Sequence, residues 1–152
     1  MRRLLLLFLS ATALIAAENA DARSEVCHAA SERQIASLFD RWNASLETGD
    51  PMKVVANYAK KSILLPTVSN IPRITEEEKE DYFQHFLQRK PVGKINSRSI
   101  EIDCNSAIDA GLYTFDFSDG SEVRARYTFT YKWNGHAWLI SSHHSSAMPE
   151  KN

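Results

Sequence analysis

The apolar residues of this chain change their spacing halfway along the sequence, and this change restricts the possible folds more than any other feature. In the first half they recur every three or four positions, which is the spacing of one helix face. In the second half they alternate with polar residues, as in half-buried strands. Helices followed by antiparallel strands predict an α+β domain in which three helices pack on one face of a strongly curved sheet.

Three helices are predicted in the first half, each with a start signal. The first begins after Ser31, and the third begins after Thr75. The second has Asp50 as its N-cap and Pro51 in its first position. A short strand over residues 62–65 precedes the third helix. The positions predicted to be buried are Ile35, Leu38, Phe39, Trp42 and Leu46 in the first helix, Val54, Val55 and Tyr58 in the second, and Tyr82, Phe83, Phe86 and Leu87 in the third.

The second half predicts an antiparallel meander. Turn-forming residues at 118–120 and 134–135 separate consecutive strands, which is typical of hairpins. The closing strand starts at Trp138 and ends in a dense polar sequence, 141–146. The alternating apolar residues before it are Ile100, Ile102 and Cys104, then Tyr113, Phe115 and Phe117, then Tyr127, Phe129, Tyr131 and Trp133.

The amino terminus has the features of a secretory signal peptide. Arg2 and Arg3 precede an apolar run that is too short for a retained transmembrane helix. Ala20 and Ala22 supply the small residues that a signal peptidase reads. We therefore predict a signal peptide over residues 1–22 and one domain over residues 23–152. The mature protein is expected in the periplasm or outside the cell, without membrane contact after cleavage.

The sequence contains two cysteines, Cys27 and Cys104, and both lie in the exported part. An oxidising compartment allows them to form a disulfide, which we predict. Closing so long a loop contributes on the order of 4 kcal/mol to stability, less any strain. The alternative is two buried free thiols, since cysteine is common in protein cores.

Two segments resemble a known superfamily. The first, residues 38–51, resembles the opening helices of nuclear transport factor 2-like proteins. The second, residues 138–149, is similar to the closing strand of the calcium/calmodulin-dependent protein kinase II association domain, in which tryptophan precedes a His-x-His-x-Ser-Gly-x-Pro type of sequence. The resemblance implies a cone that encloses a pocket and a bacterial relative of that domain. This chain has no kinase domain, so no kinase activity of its own is implied.

The resemblance also implies where a ligand binds. In the kinases, arginines on the third, fourth and closing strands line the pocket, whereas the matching positions here are Tyr113, Phe129 and Ser145. The anion-binding character of that pocket is therefore not carried over to this chain. Arg73 and Arg126 remain as candidates for a positive group near the mouth. The residues that we expect to bind a ligand are Trp42, Tyr58, Arg73, Tyr113, Phe129, His143 and Ser145.

The adjacent histidines of the closing strand are expected to lie on opposite faces, because neighbours on a strand alternate. His143 and Ser145 are assigned to the pocket side, and His144 to the other side. In a regular strand, Trp138 and Ile140 share the face of His144. The five histidines of the chain show no metal-ligand spacing, so neither a metal nor a cofactor is predicted.

Composition and pattern favour a binding or assembly domain over an enzyme. A net charge of −1 without clustered basic residues excludes a nucleic-acid footprint. The polar face of the strand carrying Arg124, Arg126 and Thr128 suits a homodimer formed through the sheet. We therefore favour an exported, non-catalytic domain with an aromatic pocket for a small molecule.

The alternative is an enzyme that resembles ketosteroid isomerases and polyketide cyclases. Such an enzyme acts on a small apolar substrate through an acid or base tuned by burial. The carboxylates in predicted strands, Asp103 and Asp116, have the parity opposite to Cys104 and Tyr113, so they are expected to face solvent or an interface. A buried carboxylate or histidine with a perturbed pKa beside Tyr113 would favour this alternative.

Overall fold

The computed structural model describes residues 26–67 and 69–149. The predicted signal peptide lies outside the described residues. Three helices precede most of a five-stranded sheet, so the predicted α+β class is confirmed. The elements are α1 Glu32–Glu47, α2 Pro51–Val55, β1 Tyr58–Leu65, α3 Glu76–Phe86 with a 3₁₀ turn at Leu87–Arg89, β2 Val92–Ile102, β3 Ser106–Asp116, β4 Glu122–Trp133 and β5 Trp138–Ala147.

Each predicted helix start is confirmed by a side-chain cap. Ser31 and Gln34 form a capping box at α1, and Thr75 and Glu78 form another at α3. The carboxylate of Asp50 accepts a hydrogen bond from the backbone of α2 at 3.0 Å. These bonds satisfy backbone N–H groups that have no partner within the helix, and they explain why the helices begin at these residues.

The placement of Tyr58 in the second helix was wrong. α2 ends at Val55, and Tyr58 opens β1, which is four residues longer at its start than the predicted strand 62–65. The reason is long-range pairing, because Tyr58 lies opposite Ile140 in the parallel pair of β1 and β5. Tyr58 is buried all the same.

The sheet has the strand order β1-β5-β4-β3-β2. Its strand pairs are antiparallel except for β1 with β5, which is parallel. The prediction of an antiparallel meander therefore holds for β2 to β5. A bulge in β2 at Asn96 and another in β5 at Ser141 interrupt the ladders, and bulges increase local twist and bending. α1 packs its apolar face against the sheet, chiefly against β2.

The bulge at Ser141 changes which face each residue of β5 occupies. Thr130 pairs with Ser142, whereas the next residue of β4 pairs with Ile140, so Ser141 is an extra residue. Ile140 and His143 therefore lie on the same, helix-covered face, and both are buried. The expectation that Trp138 and Ile140 share the face of His144 was wrong, since strand alternation does not foresee a bulge.

A buried acid lies in the middle of the sheet. β3 begins at Ser106, earlier than the alternation around Tyr113 indicated, and it therefore includes Asp109. Asp109 is fully buried, and it accepts hydrogen bonds from the Tyr127 hydroxyl at 2.8 Å and from Nε of Arg98 at 3.1 Å. By contrast, the predicted strand carboxylates Asp103 and Asp116 are exposed, as expected from their parity.

The structure contains the predicted disulfide between Cys27 and Cys104. It joins the segment before α1 to the turn between β2 and β3. Beside it, the ring of His28 stacks on Trp133 with centroids 3.6 Å apart, and its backbone N–H donates to Asn105. The amino-terminal segment is thus held against the sheet. Among the described residues, no helix is long and apolar enough to cross a membrane.

Candidate functional site

A cavity lies between α3, the end of β1 and the helix-covered face of the sheet. Its volume is about 60 Å³. Because one water-sized group needs roughly 10–15 Å³, the cavity has room for about four to six such groups. The lining residues are Trp42, Leu64, Pro66, Thr67, Tyr82, Phe83, Phe86, Arg89, Tyr113, Phe115, Phe117, Val123, His143 and Ser145.

A neutral histidine borders this cavity. His143 is 3% exposed, and its ring stacks on Phe129 with centroids 4.0 Å apart. Its Nδ1 lies 2.9 Å from the hydroxyl of Tyr58. Burial, with a smaller contribution from the adjacent His144, lowers the pKa of His143 to about 3. The imidazole is therefore uncharged at neutral pH, and its buried Nε2 has no hydrogen-bond partner within the described residues.

Three hydroxyl groups form a connected cluster at the same cavity. The Tyr113 hydroxyl donates to Oγ of Ser145 at 2.5 Å, and Ser145 also bonds to Oγ1 of Thr67. Burial raises the pKa of Tyr113 above its usual range, so its phenol keeps its proton. The three hydroxyls have three hydrogens, and their two mutual bonds use two of them. One hydroxyl hydrogen is left for a ligand.

The mouth of the cavity combines aromatic rings with cationic side chains. The guanidinium of Arg89 lies 3.7 Å from the ring centre of Phe117, and it is 3.5 Å from the carboxylate of Asp119. Burial raises the pKa of Tyr82 to about 12, so its phenol is also neutral. The charged groups of the mouth are thus paired or stacked, and the cavity is lined by neutral groups apart from Arg89.

Four of the seven expected ligand-binding residues line the cavity, namely Trp42, Tyr113, His143 and Ser145. The other three lie one layer behind. Tyr58 and Phe129 contact His143, and Arg73 lies 5.9 Å from the ring of Tyr82 while pairing with Asp81 at 3.3 Å. Arg126 is exposed, on the outer face of the sheet.

The expectation missed Thr67, Tyr82 and Arg89 as parts of the cavity lining. Thr67 lies in the loop after β1, and no local pattern indicates that this loop contacts β5. Tyr82 was predicted as a core position of α3, which is half correct since its side chain is half-buried. Arg89 follows the apolar stripe of α3, and a basic residue just before Pro91 was the available signal. Within the described residues no three His, Cys, Asp or Glu side chains are grouped closely enough to hold a metal ion.

The comparison with protein families decides the family of the chain. Residues 31–149 match the calcium/calmodulin dependent protein kinase II association domain. The chain belongs to this association-domain family. A crystal structure assigned to the same domain, from Xanthomonas campestris, is 51% identical, with a TM-score of 0.77 over 81% of this chain and 91% of that one.

More distant structures share the fold of this association-domain protein. A nuclear transport factor 2-like protein of unknown function from Pseudomonas putida is 17% identical, with a TM-score of 0.70 over 82% of this chain and 91% of that one. The iota-carbonic anhydrase of a cyanobacterium, solved with bicarbonate, is also 17% identical, with a TM-score of 0.73 over 81% and 95%. These likenesses show the cone-shaped fold alone. No curated protein matches the chain.

Proposed function

We propose that the cavity binds a bicarbonate-sized oxyanion and that the protein catalyses the reversible hydration of carbon dioxide. The observation that carries this proposal is the meeting of an uncharged, buried imidazole and a three-hydroxyl cluster at a cavity of about 60 Å³. Bicarbonate has four non-hydrogen atoms, so it is small enough for a cavity of this volume.

The polarity of the site supports an oxyanion. The hydroxyl cluster has one hydrogen that its mutual bonds leave over, and such a hydrogen needs an oxygen acceptor. The aromatic surroundings lower the local dielectric, which strengthens a hydrogen bond to a charged oxygen. Arg89 also lines the cavity, where the carboxylate of Asp119, 3.5 Å away, offsets its charge. The anion-binding character of the kinase pocket was not carried over from the sequence, because the matching arginines are missing. Neutral hydrogen-bond donors can form an anion site without those arginines.

The proposed chemistry needs no group beyond a water molecule. The oxygen of that water forms a bond to the carbon of carbon dioxide, and one π electron pair moves to the carbon dioxide oxygen that accepts a hydrogen bond from the hydroxyl cluster. The proton of the water passes to solvent buffer. The sum is CO₂ + H₂O → HCO₃⁻ + H⁺. Ser145, Tyr113 and Thr67 orient the reactants and stabilise the charge that develops.

One comparison and one property of the site support a catalytic function. The iota-carbonic anhydrase that was solved with bicarbonate has the same fold. The buried histidine with a lowered pKa is the feature that the sequence analysis gave as favouring an isomerase or cyclase, and it supports catalysis in this cavity in general. The polar hydroxyl cluster suits the small apolar substrate of an isomerase or cyclase less well. The proposal keeps the small-molecule site expected from the sequence, and it departs from the expectation that the domain is non-catalytic.

Replacing the central hydroxyl tests the proposal. Ser145→Ala removes the atom that joins Tyr113 to Thr67, and we expect kcat/KM for carbon dioxide hydration to fall about 100-fold, as for the loss of one oxyanion donor. The measurement is stopped-flow hydration with a pH indicator, with and without EDTA. Because the acting groups are hydroxyls, equal rates are expected in both conditions.

The matched control is Ser146→Ala, which makes the same change one residue further along β5. Ser146 pairs with Arg126 on the outer face of the sheet, so its rate should stay within about twofold of the unmodified protein. An unmodified protein that does not exceed the uncatalysed rate would exclude the proposed activity. Equal losses in both serine variants would exclude the role of the hydroxyl cluster.

We also infer that the outer face of the sheet forms a homodimer. Ile108 is 40% exposed and Leu112 is 36% exposed, and both lie on this face between polar residues such as Thr128. Half-exposed apolar side chains within a polar frame are typical of subunit contacts. The disulfide in turn supports export to the periplasm or beyond, where disulfides persist.

Light scattering at micromolar concentration tests the dimer. We expect a mass of two chains for the unmodified protein and of one chain for Leu112→Glu, because a buried unpaired carboxylate opposes association. Met52→Glu is the control, since Met52 is 66% exposed on α2, away from the sheet, and it should leave the dimer intact. A monomeric unmodified protein would contradict the inference.

A further inference from the structure

Tyr58 lies behind His143 and outside the cavity lining. It is the first residue of β1, and its hydroxyl is 2.9 Å from Nδ1 of His143. Both side chains are buried. This hydrogen bond can run in either direction, because a neutral imidazole carries its hydrogen on one nitrogen or the other. The direction decides whether Nε2 donates to a ligand or accepts from it.

The surroundings of the Tyr58 hydroxyl and of Nε2 decide the direction. Within the described residues, this hydroxyl makes no hydrogen bond other than the one to Nδ1. If Nδ1–H were the donor, the phenol hydrogen would be buried without an acceptor and away from the cavity, which is unfavourable. If the phenol is the donor, the unpaired hydrogen is on Nε2 instead, and His143 lines the cavity, where a ligand or water can accept it. Burial raises the pKa of Tyr58 well above its usual range, so the phenol keeps its hydrogen at neutral pH and can donate it.

We propose that Tyr58 is a positioning residue that donates to Nδ1 and holds His143 in the form protonated at Nε2. His143 then presents a hydrogen-bond donor, in addition to the hydrogen left over by the hydroxyl cluster. Two donors at one small cavity select a ligand with at least two acceptor oxygens. In the reaction proposed above, on which this part of the inference rests, His143 stabilises the anionic oxygen and does not remove a proton from water.

Nuclear magnetic resonance tests the tautomer without any ligand. In ¹⁵N-labelled protein, long-range ¹H–¹⁵N correlations distinguish the two neutral forms of a histidine, and a His143→Gln spectrum assigns the signal. We expect His143 to carry its hydrogen on Nε2 at neutral pH. A hydrogen on Nδ1 in the unmodified protein would overturn the proposal, whatever the variants show.

Tyr58→Phe tests the role of the hydroxyl. The variant keeps the ring and removes the donor, so we expect a mixture of both tautomers and an affinity for bicarbonate about tenfold lower, as for one lost hydrogen bond. Tyr131→Phe is the matched control, because the Tyr131 hydroxyl is buried without a hydrogen-bond partner in the described part of the chain. It should change neither quantity.

The possible outcomes separate this proposal from the proposed function. If the hydrogen is on Nε2 and Tyr58→Phe redistributes it, the positioning role holds even where bicarbonate does not bind, and the proposed function then fails alone. If Tyr58→Phe leaves both the tautomer and the affinity unchanged in a folded protein, Tyr58 has no positioning role.

Discussion

Gly111→Ala is expected to lower the free energy of unfolding by about 4 kcal/mol or more and to leave little folded protein. A Cβ at this position would lie 2.0 Å from the carbonyl oxygen of Ser97 and 3.1 Å from Cα of Arg98. These are backbone atoms, so no change of rotamer relieves the clash. The bulge at Asn96 creates this close approach, since it makes Ser97 pair with Leu112.

The measurement is urea unfolding followed by tryptophan fluorescence. Gly49→Ala is the matched control, because an added Cβ there meets no atom within 4 Å and only the backbone angle, φ +68°, opposes it. The cost of that angle for a residue other than glycine is about 1 kcal/mol. Similar unfolding midpoints for the two variants would contradict the close approach in the sheet.

Asp109→Ala is expected to lower the free energy of unfolding by about 3 kcal/mol, at the lower end for a broken buried ion pair. The change removes the acceptor of the Tyr127 hydroxyl. It also leaves the guanidinium of Arg98 without its partner, since Nη2 of Arg98 lies 3.0 Å from Oδ2 of Asp109. The side chain of Arg98 is 24% exposed, so solvent hydrates it in part and limits the loss.

Two further variants test whether the loss of stability is specific to the buried ion pair of Asp109. Asp116→Ala changes an exposed aspartate on the same strand and should alter stability by less than about 0.5 kcal/mol. Replacing Arg98 and Asp109 together by leucine should recover part of the loss, because neither charge is then left alone. If Asp109→Ala is as mild as Asp116→Ala, the ion pair does not contribute to stability.

Both stability predictions depend on residues whose importance a single sequence does not reveal. Gly111 is an ordinary strand glycine until β2 pairs with it across a bulge. Asp109 has the same parity as Tyr113 and Phe115, and that parity was a usable signal. It was missed because the strand was taken to begin near Tyr113, and strand ends depend on the partner strand.

Local chemistry explains what the sequence predicted well. The caps at Ser31, Asp50 and Thr75 are bonds between residues two or three positions apart, so they are readable from the chain alone. The period of the apolar residues in α1 and β4 depends only on helix and strand geometry. For the same reason, the position of His144 on the opposite face from His143 was predicted correctly.

The sequence by itself determined the α+β class, the order of its elements, the family and the pair of cysteines, because these follow from local bonds, periodicity and a recognisable closing strand. The tertiary structure alone decided the site. It brought Thr67 from a loop to Ser145, set Tyr58 against Nδ1 of His143 and, through the bulge at Ser141, turned His143 to the same face as Ile140. Contacts between distant segments have no signature in either segment, and the chemistry of this cavity consists of such contacts.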